Sequence, residues 1–249
     1  VQFSGGVGSW AAGKMVAERY GTADLVLLFA DVNDEHPDLY RFLADASANI
    51  GAPVTRISDG RTPMEVMTDE SFIGNSRKDP CSKILKRKLL DKWCKDNCDV
   101  ADTTRYIGID WTEVNRLTTF RKRIAPWRVE GPLCEPPYMS KQDAFAWLAR
   151  EGVTVPRLYE LGFSHNNCGG ACIKGGQGAW ANVLEHFPER YARWEQWEAD
   201  MRLKVGNHTI LRDRSKKRSG PLTLKDFRIR VEGNAPIDRS EQGGCGCAL

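Results

Sequence analysis

Nothing in the chain meets the requirement for a membrane span. No uninterrupted apolar run among its 249 residues approaches the roughly 20 needed to cross a bilayer as a helix. The opening stretch, VQFSGGVGSW, lacks the basic and then apolar pattern of a signal peptide. A cytoplasmic protein without a membrane partner is therefore expected. Net charge is also scarce: a balance of +3 does not by itself demand a nucleic-acid partner. Internal repeats are missing too, which argues against solenoids and propellers. With 41% hydrophobic and 28% charged residues, the composition is that of an ordinary soluble protein. The length accommodates one large α/β domain, or one domain with a small appendage.

Cysteine is plentiful: Cys81, Cys94, Cys98, Cys134, Cys168, Cys172, Cys245 and Cys247. In an intracellular chain such a set is not a disulfide scaffold and points to metal, redox or sulfur chemistry. Basic residues, though balanced overall, are clustered in SRKDPCSKILKRK (76–88), FRKRIAPWR (120–128) and LRDRSKKRSG (211–220). Such clusters either solvate a face or bind phosphate.

The pattern along the chain predicts alternating strands and helices. Residues 1–4 read as a short buried strand and 9–20 as a helix. LVLLFADV (25–32) is a continuous apolar run suited to a central parallel strand. A helical period over 36–50 carries Pro37 in its first turn. VTRIS (54–58) and RYIGID (105–110) read as further strands, with the helical SKILKRKLLDKWCKD between them. SKQDAFAWLAREG (140–152) begins with a helix-cap pattern and stops at Gly152. This order predicts a parallel sheet with helices on both faces. The α/β domain is expected to cover 1–160, a Cys/Gly-rich loop and a smaller helical part 161–240, and a flexible cysteine-containing tail 241–249. EHFPERYARWEQWEADMRLKV reads as one long amphipathic helix, and Trp180, Trp194 and Trp197, at near-helical spacing, read as core residues.

The opening glycine-rich loop admits three phosphate-binding readings. Gly8 to Lys14 fits GxxxxGK, but Met15 stands where a Walker A loop needs a hydroxyl. Gly6, Gly8 and Ala11 fit a dinucleotide fingerprint, with Asp31 about 20 residues on. The third reading is SGGxxS, Ser4-Gly5-Gly6-Val7-Gly8-Ser9, in which backbone N–H groups and a helix N-terminus receive phosphate.

That third reading resembles the PP-loop of adenine nucleotide α-hydrolases, which binds the pyrophosphate of ATP. The common form has Asp where this chain has Gly8. Downstream, RLYELGFSHNNCGGACIKGG (157–176), DPCSKILKRKLL, YIGIDWTEVNR and EQGGCGCAL each resemble segments of the phosphoadenosine phosphosulfate (PAPS) reductase family, in the same order. The resemblance implies a HUP-type, Rossmann-like fold. Two departures stand out. The reductases usually lack an intact SGGxxS loop, and their cysteines typically come as an adjacent pair plus CxxC. An intact loop leans toward ATP-using cousins such as tRNA thiolases and the ATP pyrophosphatases of DNA phosphorothioation.

These readings define a candidate site. Ser4, Gly5, Gly6, Gly8 and Ser9 would bind the nucleotide, with Asp31, Asp59, Gly60, Gly108 and Asp110 at neighbouring strand ends. Lys83, Lys86, Arg87 and Arg116 are candidates for substrate phosphate. Cys81, Cys168 and Cys172 would ligate three irons of a [4Fe–4S] cluster, the fourth being open or held by Cys134. Zinc or simple packing are the competing explanations. Cys94 and Cys98, spaced i,i+4 on a helix, read as packing. Cys245 and Cys247, in a tail with no core to fill, are the candidate nucleophiles or persulfide carriers.

The expected function is ATP-dependent adenylation of an acceptor followed by thiolation. Mg²⁺ would accompany ATP, a sulfur donor protein would supply sulfur, and the acceptor would be a metabolite or a nucleic acid. The alternative is a sulfonucleotide (PAPS or adenylyl sulfate, APS) reductase, in which a tail cysteine forms a thiosulfonate that a thiol reductant resolves. A third class is a non-catalytic nucleotide or nucleic-acid binding module.

Overall fold

The computed structural model describes residues 1–74, 78–215 and 218–243. Strand β1 (Leu27–Asp31) is buried at every position, as its apolar run requires. It pairs in parallel with β2 (Val54–Ser58), in register from Leu27 opposite Val54 to Asp31 opposite Ser58. On its other side lies the start of the chain, where Gln2 bridges in parallel to both Leu28 and Ile107. Ile107 directly follows β3 (Thr104–Tyr106), which pairs in parallel with β4 (Arg128–Glu130). The parallel order is thus β2, β1, the Gln2 segment, β3, β4. From its first segment the chain builds outward to β2, then returns to build the opposite half. That reversal puts a topological switch point between Gln2 and β3, the place where open α/β sheets bind ligands.

Side chains of β1 alternate between two helical layers, as strand geometry dictates. Leu27 and Phe29 pack with Trp10 of α1 (Val7–Tyr20), with Phe42 of α2 (Pro37–Ile50) and with Leu148. Leu28 and Ala30 face the other way, onto Leu90 and Cys94. Leu90 and Cys94 belong to the helix Leu89–Asn97, which continues from a π-helical stretch, Lys83–Lys88. Helices therefore cover both faces of a parallel sheet, as the sequence predicts. Cys94 packs in this core, in line with its reading as a packing residue.

Local signals behave as their chemistry suggests. His36 Nδ1 accepts from Asp38 N at 3.1 Å ahead of Pro37. Ser140 and Asp143 form a reciprocal capping box at Lys141–Arg150. One expectation needs correction. The helix predicted over EHFPERYARWEQWEADMRLKV begins at Pro188 and runs to Val205, while Glu185 and His186 end a separate helix, Gln177–His186, because Pro188 lacks the N–H that a helix interior needs. The segment from 211 also contains a hairpin the sequence reading left unassigned, β5 (Leu211–Ser215) antiparallel to β6 (Arg218–Leu222).

A second core lies under these C-terminal elements. Trp180, Trp194 and Trp197 meet edge to face, with centroid distances of 5.8 Å and 5.2 Å. This core also takes in Met67 of α3 (Pro63–Asp69) and Leu158. Glu198 ties it together, since its buried carboxylate accepts from Ile210 N at 2.7 Å and Leu224 N at 2.6 Å.

Candidate nucleotide and thiol site

A cleft of about 690 Å³ opens at the switch point. Ser4, Gly6, Gly8 and Ser9 line it, with Gly108 and Asp110 opposite. Helix α1 begins here with Gly6 as an extended N-cap that offers no side-chain cap, so its first-turn N–H groups lack the usual intrahelical acceptors. Val7 N reaches Tyr159 Oη at 3.4 Å. The serines are oriented locally: Ser9 Oγ donates to the Gly6 carbonyl at 2.8 Å, and Ser4 Oγ to Ser9 Oγ at 3.3 Å. Behind the loop, buried Asn166 donates to the Gly5 carbonyl at 2.8 Å. Positive dipole and free donors at one helix end make an anion cradle.

The same geometry constrains position 8. A Cβ there would lie 2.7 Å from the Gly108 carbonyl oxygen. On Gly108, a Cβ would lie 2.3 Å from the Gly8 oxygen and 2.6 Å from Ser9 N. The first turn of α1 and the run after β3 therefore touch backbone to backbone. A side chain at position 8 thus has no room.

Lys86, Arg116, Lys141 and Lys174 bring positive charge to the cleft, set against the carboxylates Asp110 and Glu113. Lys86 is buried, 3.7 Å from Glu35 and 3.4 Å from Asn167 Oδ1. Arg116 pairs with Glu113 at 2.5 Å. Lys141 donates to the Ser164 carbonyl and lies over the Tyr159 ring at 4.8 Å. Lys141, Tyr159 and Lys174 were not singled out from sequence. Tyr159 and Lys174 do fall within the 157–176 stretch that carries the family resemblance; Lys141 gives no local signal.

Other sequence candidates lie outside the lining. Asp31 is fully buried, where its carboxylate accepts from Tyr40 Oη at 3.1 Å and pairs with Arg56 at 2.7 Å. Asp59 binds Arg61 at 2.6 Å. Both follow from topology, since β1 lies one strand from the switch and β2, with Gly60 beyond it, lies at the sheet edge. Lys83 is exposed. Arg87 makes a bidentate pair with Asp79, at 2.7 and 3.0 Å.

Cys81, Cys168 and Cys172 line one small cavity of about 20 Å³ together with Lys86 and Lys174, which also line the cleft. The two lysines thus border both the cleft and the thiol cavity. A hydrogen bond with Cys172, reinforced by burial, pushes the Cys168 thiol well above its ordinary range. Cys168 also holds a left-handed backbone, φ 54°, which non-glycine residues seldom adopt. Among the described residues no group of three His, Cys, Asp or Glu has metal-holding geometry. Cys134 stands apart from the three, packed with Ile107 and Ile109 and donating its thiol to the Ile109 carbonyl at 3.2 Å.

Cys245 and Cys247 lie outside the described residues, but the segment leading to them is firmly seated. Gly178 N donates to the Glu241 carbonyl at 2.9 Å, and the buried Gln177 side chain accepts from Asp238 N at 3.1 Å. Cβ atoms on Gly176 and Gly178 would fall 2.3 Å from the Glu241 oxygen and 2.1 Å from the Arg239 oxygen. The glycine-rich 175–178 stretch is thus a socket for 238–243, and Gly243 reaches the cleft lining. Gly178→Ala is expected to release this segment, raising proteolysis and amide exchange over 238–243 while exchange in the sheet stays unchanged.

Neither protein-family models nor curated proteins match the chain. Among solved structures it is similar to a phosphate complex of phosphoadenylyl-sulfate (PAPS) reductase from Candida auris. That similarity has a TM-score of 0.44 at 13% identity, over 66% of this chain and 77% of the other.

Proposed function

We propose that this protein is an enzyme that binds an adenine nucleotide at Ser4–Ser9 and uses it in sulfur transfer. The observation that carries the reading is the start of α1 without a side-chain cap, in a cleft that shares Lys86 and Lys174 with the cavity lined by three thiols. With ATP, an acceptor oxygen attacks the α-phosphate and pyrophosphate leaves, giving an adenylated acceptor. Hydrosulfide then displaces AMP directly. The terminal sulfur of a donor protein's persulfide does so by forming a mixed disulfide, which a second thiol of the donor or a thiol reductant cleaves to release the thiolated acceptor. The chain's own contribution is positioning and charge neutralisation. The first-turn N–H groups and serine hydroxyls hold phosphate oxygens, and Lys86, Lys141 and Lys174 neutralise charge on the leaving pyrophosphate. Mg²⁺ would arrive with ATP, and Asp110 and Glu113 are the cleft carboxylates suited to a hard cation.

One observation favours the sulfonucleotide reductase as a second reading. Gly243, two residues before Cys245 in sequence, lines the cleft. A tail thiolate there would attack the sulfate sulfur of PAPS or APS, expelling the nucleotide and leaving a thiosulfonate. An external thiol would then release sulfite.

In either reading Cys81, Cys168 and Cys172 are the residues that would hold an iron–sulfur cluster, for sulfur delivery or redox. As they stand they line a cavity of about 20 Å³ without metal-holding geometry, so a cluster would require their segments to move apart. No step above depends on it. Anaerobic purification should yield iron near ~4 per chain if a [4Fe–4S] cluster is present. Absence of iron and sulfide under those conditions would remove the cluster while leaving the nucleotide reading intact.

Calorimetry of ATP, adenylyl sulfate and its 3′-phosphorylated form, with magnesium and without oxygen, separates the two enzymes. Tight ATP binding with weak sulfonucleotide binding is expected. The reverse preference would make the reductase the correct reading, and binding of none would refute both.

A further inference from the structure

Trp111, next in sequence to the cleft-lining Asp110, and Tyr138, shortly before the cleft-lining Lys141, have 48% and 61% of their surface exposed. They come from separate segments, yet their rings meet with centroids 6.4 Å apart and planes inclined by 55°. Trp111 opens the turn Trp111–Glu113, flanked by Asp110 and Glu113 of the cleft lining. Tyr138 stands just before Ser140, the cap of the helix that brings Lys141 into the cleft. Neither ring belongs to a buried apolar cluster, so core packing does not account for them. Val114, also exposed, extends the patch.

The charge at the rings themselves is mixed, with Asp110 and Glu113 flanking Trp111 and Arg116 paired to Glu113. The far end of the next helix is basic, and among the described residues only Arg123 there is paired, with Asp91 at 2.9 Å. The helix Val114–Arg123 starts next to Trp111 and ends in Arg121, Lys122 and Arg123, all exposed. Arg128 follows, exposed as well. Over ten residues such a helix extends ~15 Å. Exposed rings joined by one helix to a basic helix end offer single-stranded nucleic acid π-faces for its bases and, a few nucleotides along, cations for its phosphates. A base of the bound mononucleotide has other apolar surface available deeper in the cleft, at Phe3, Leu28, Leu90 and Ile107. The ring pair is therefore spare for a second ligand.

We propose that Trp111 and Tyr138 form a stacking platform for an unpaired base of a single-stranded nucleic acid. Its backbone runs along the Arg121–Arg123 end of the helix, and its adjoining nucleotide enters the cleft. This rests on the proposed function only in making the strand the acceptor; strand binding itself is independent of it. The platform assigns a role to FRKRIAPWR, and the unpaired strand is the form whose bases are free to stack.

The test is fluorescence anisotropy with labelled 12-nucleotide single strands of RNA and DNA, competed with the matching duplexes. Calorimetry with ATP runs alongside, and circular dichroism checks the fold of each variant. Trp111→Ala and Tyr138→Ala are each expected to weaken strand binding about tenfold and to leave ATP affinity unchanged, whereas Trp111→Phe retains most of the binding. Lys122→Ala is expected to weaken all strands alike and make the salt dependence shallower. The proposal is overturned if the wild-type protein binds no strand, if the alanine variants bind as well as wild type, or if duplex competes equally. It is also overturned if the variants lose ATP instead, since the rings would then hold the mononucleotide's base. Failure of ATP to bind with strand binding retained would refute the proposed function and leave the platform standing.

Discussion

Gly108→Ala is expected to abolish nucleotide binding and to lower the melting temperature. The added Cβ would meet Gly8 O at 2.3 Å, Gly8 C at 2.4 Å and Ser9 N at 2.6 Å. All three are backbone atoms, so no side chain can swing aside to relieve the overlap. Overpacking of this kind costs about 1–3 kcal/mol, occasionally more. Relief requires the β3 end and the start of α1 to separate, and that movement displaces the N–H groups of the anion cradle. Calorimetry with ATP, together with a thermal melt, measures both consequences. Gly8→Asp should fail in the same way despite restoring the residue common in PP-loops, since its Cβ meets the Gly108 oxygen at 2.7 Å. Gly220→Ala is the matched control, with nothing within 4 Å of its Cβ, and should behave as wild type. Normal ATP affinity in Gly108→Ala would mean that this backbone contact does not shape the nucleotide site.

Glu198→Ala should give the largest loss of stability with the site left intact. The carboxylate is nearly inaccessible and holds two backbone N–H groups, those of Ile210 and Leu224. These donors fix the entry to the β5–β6 hairpin and the start of the helix Leu224–Glu232. Leaving two buried donors unmet costs about 1–3 kcal/mol each. A total of about 3 kcal/mol lowers the melting temperature by roughly 6–12 °C for a chain of this size. Glu198→Gln keeps one good acceptor and should fall between the two. Burial raises the carboxyl's pKa, against the lowering effect of the two backbone donors. Because the folded value lies above the unfolded one, this contribution to stability is full at acid pH and is lost as pH rises through the folded value. The wild-type advantage over Glu198→Gln should therefore shrink as pH climbs from the ordinary glutamate range. Melts of all three proteins between pH 4 and pH 8 check both magnitude and sign. ATP affinity of folded Glu198→Ala should match wild type, since Glu198 lies outside the cleft lining.

The sequence by itself determined the elements whose signals are local. Apolar β1, the capping box at Ser140 and the first-turn Pro37 all act over a few residues, and each produced the element its chemistry favours. The serines and glycines of the opening loop were legible for the same reason: a phosphate cradle is built from consecutive backbone groups. Proline at 188 carried the helix break as plainly, although the amphipathic pattern running across it suggested continuity. What only the tertiary structure decided was which distant residues share a site. Asp31 and Asp59 end strands as the pattern said, but strand order put them away from the switch and gave them Arg56 and Arg61 as partners. Lys141, Tyr159 and Lys174 entered the cleft because separate segments fold onto it. The three thiols came together across more than 80 residues, and Cys134 was left on another wall. The glycine at position 8 shows the division most clearly. Its departure from the PP-loop pattern is visible in sequence, but the backbone carbonyl that leaves no room for a side chain there belongs to Gly108, 100 residues away, and only the close approach of two chain segments can specify that.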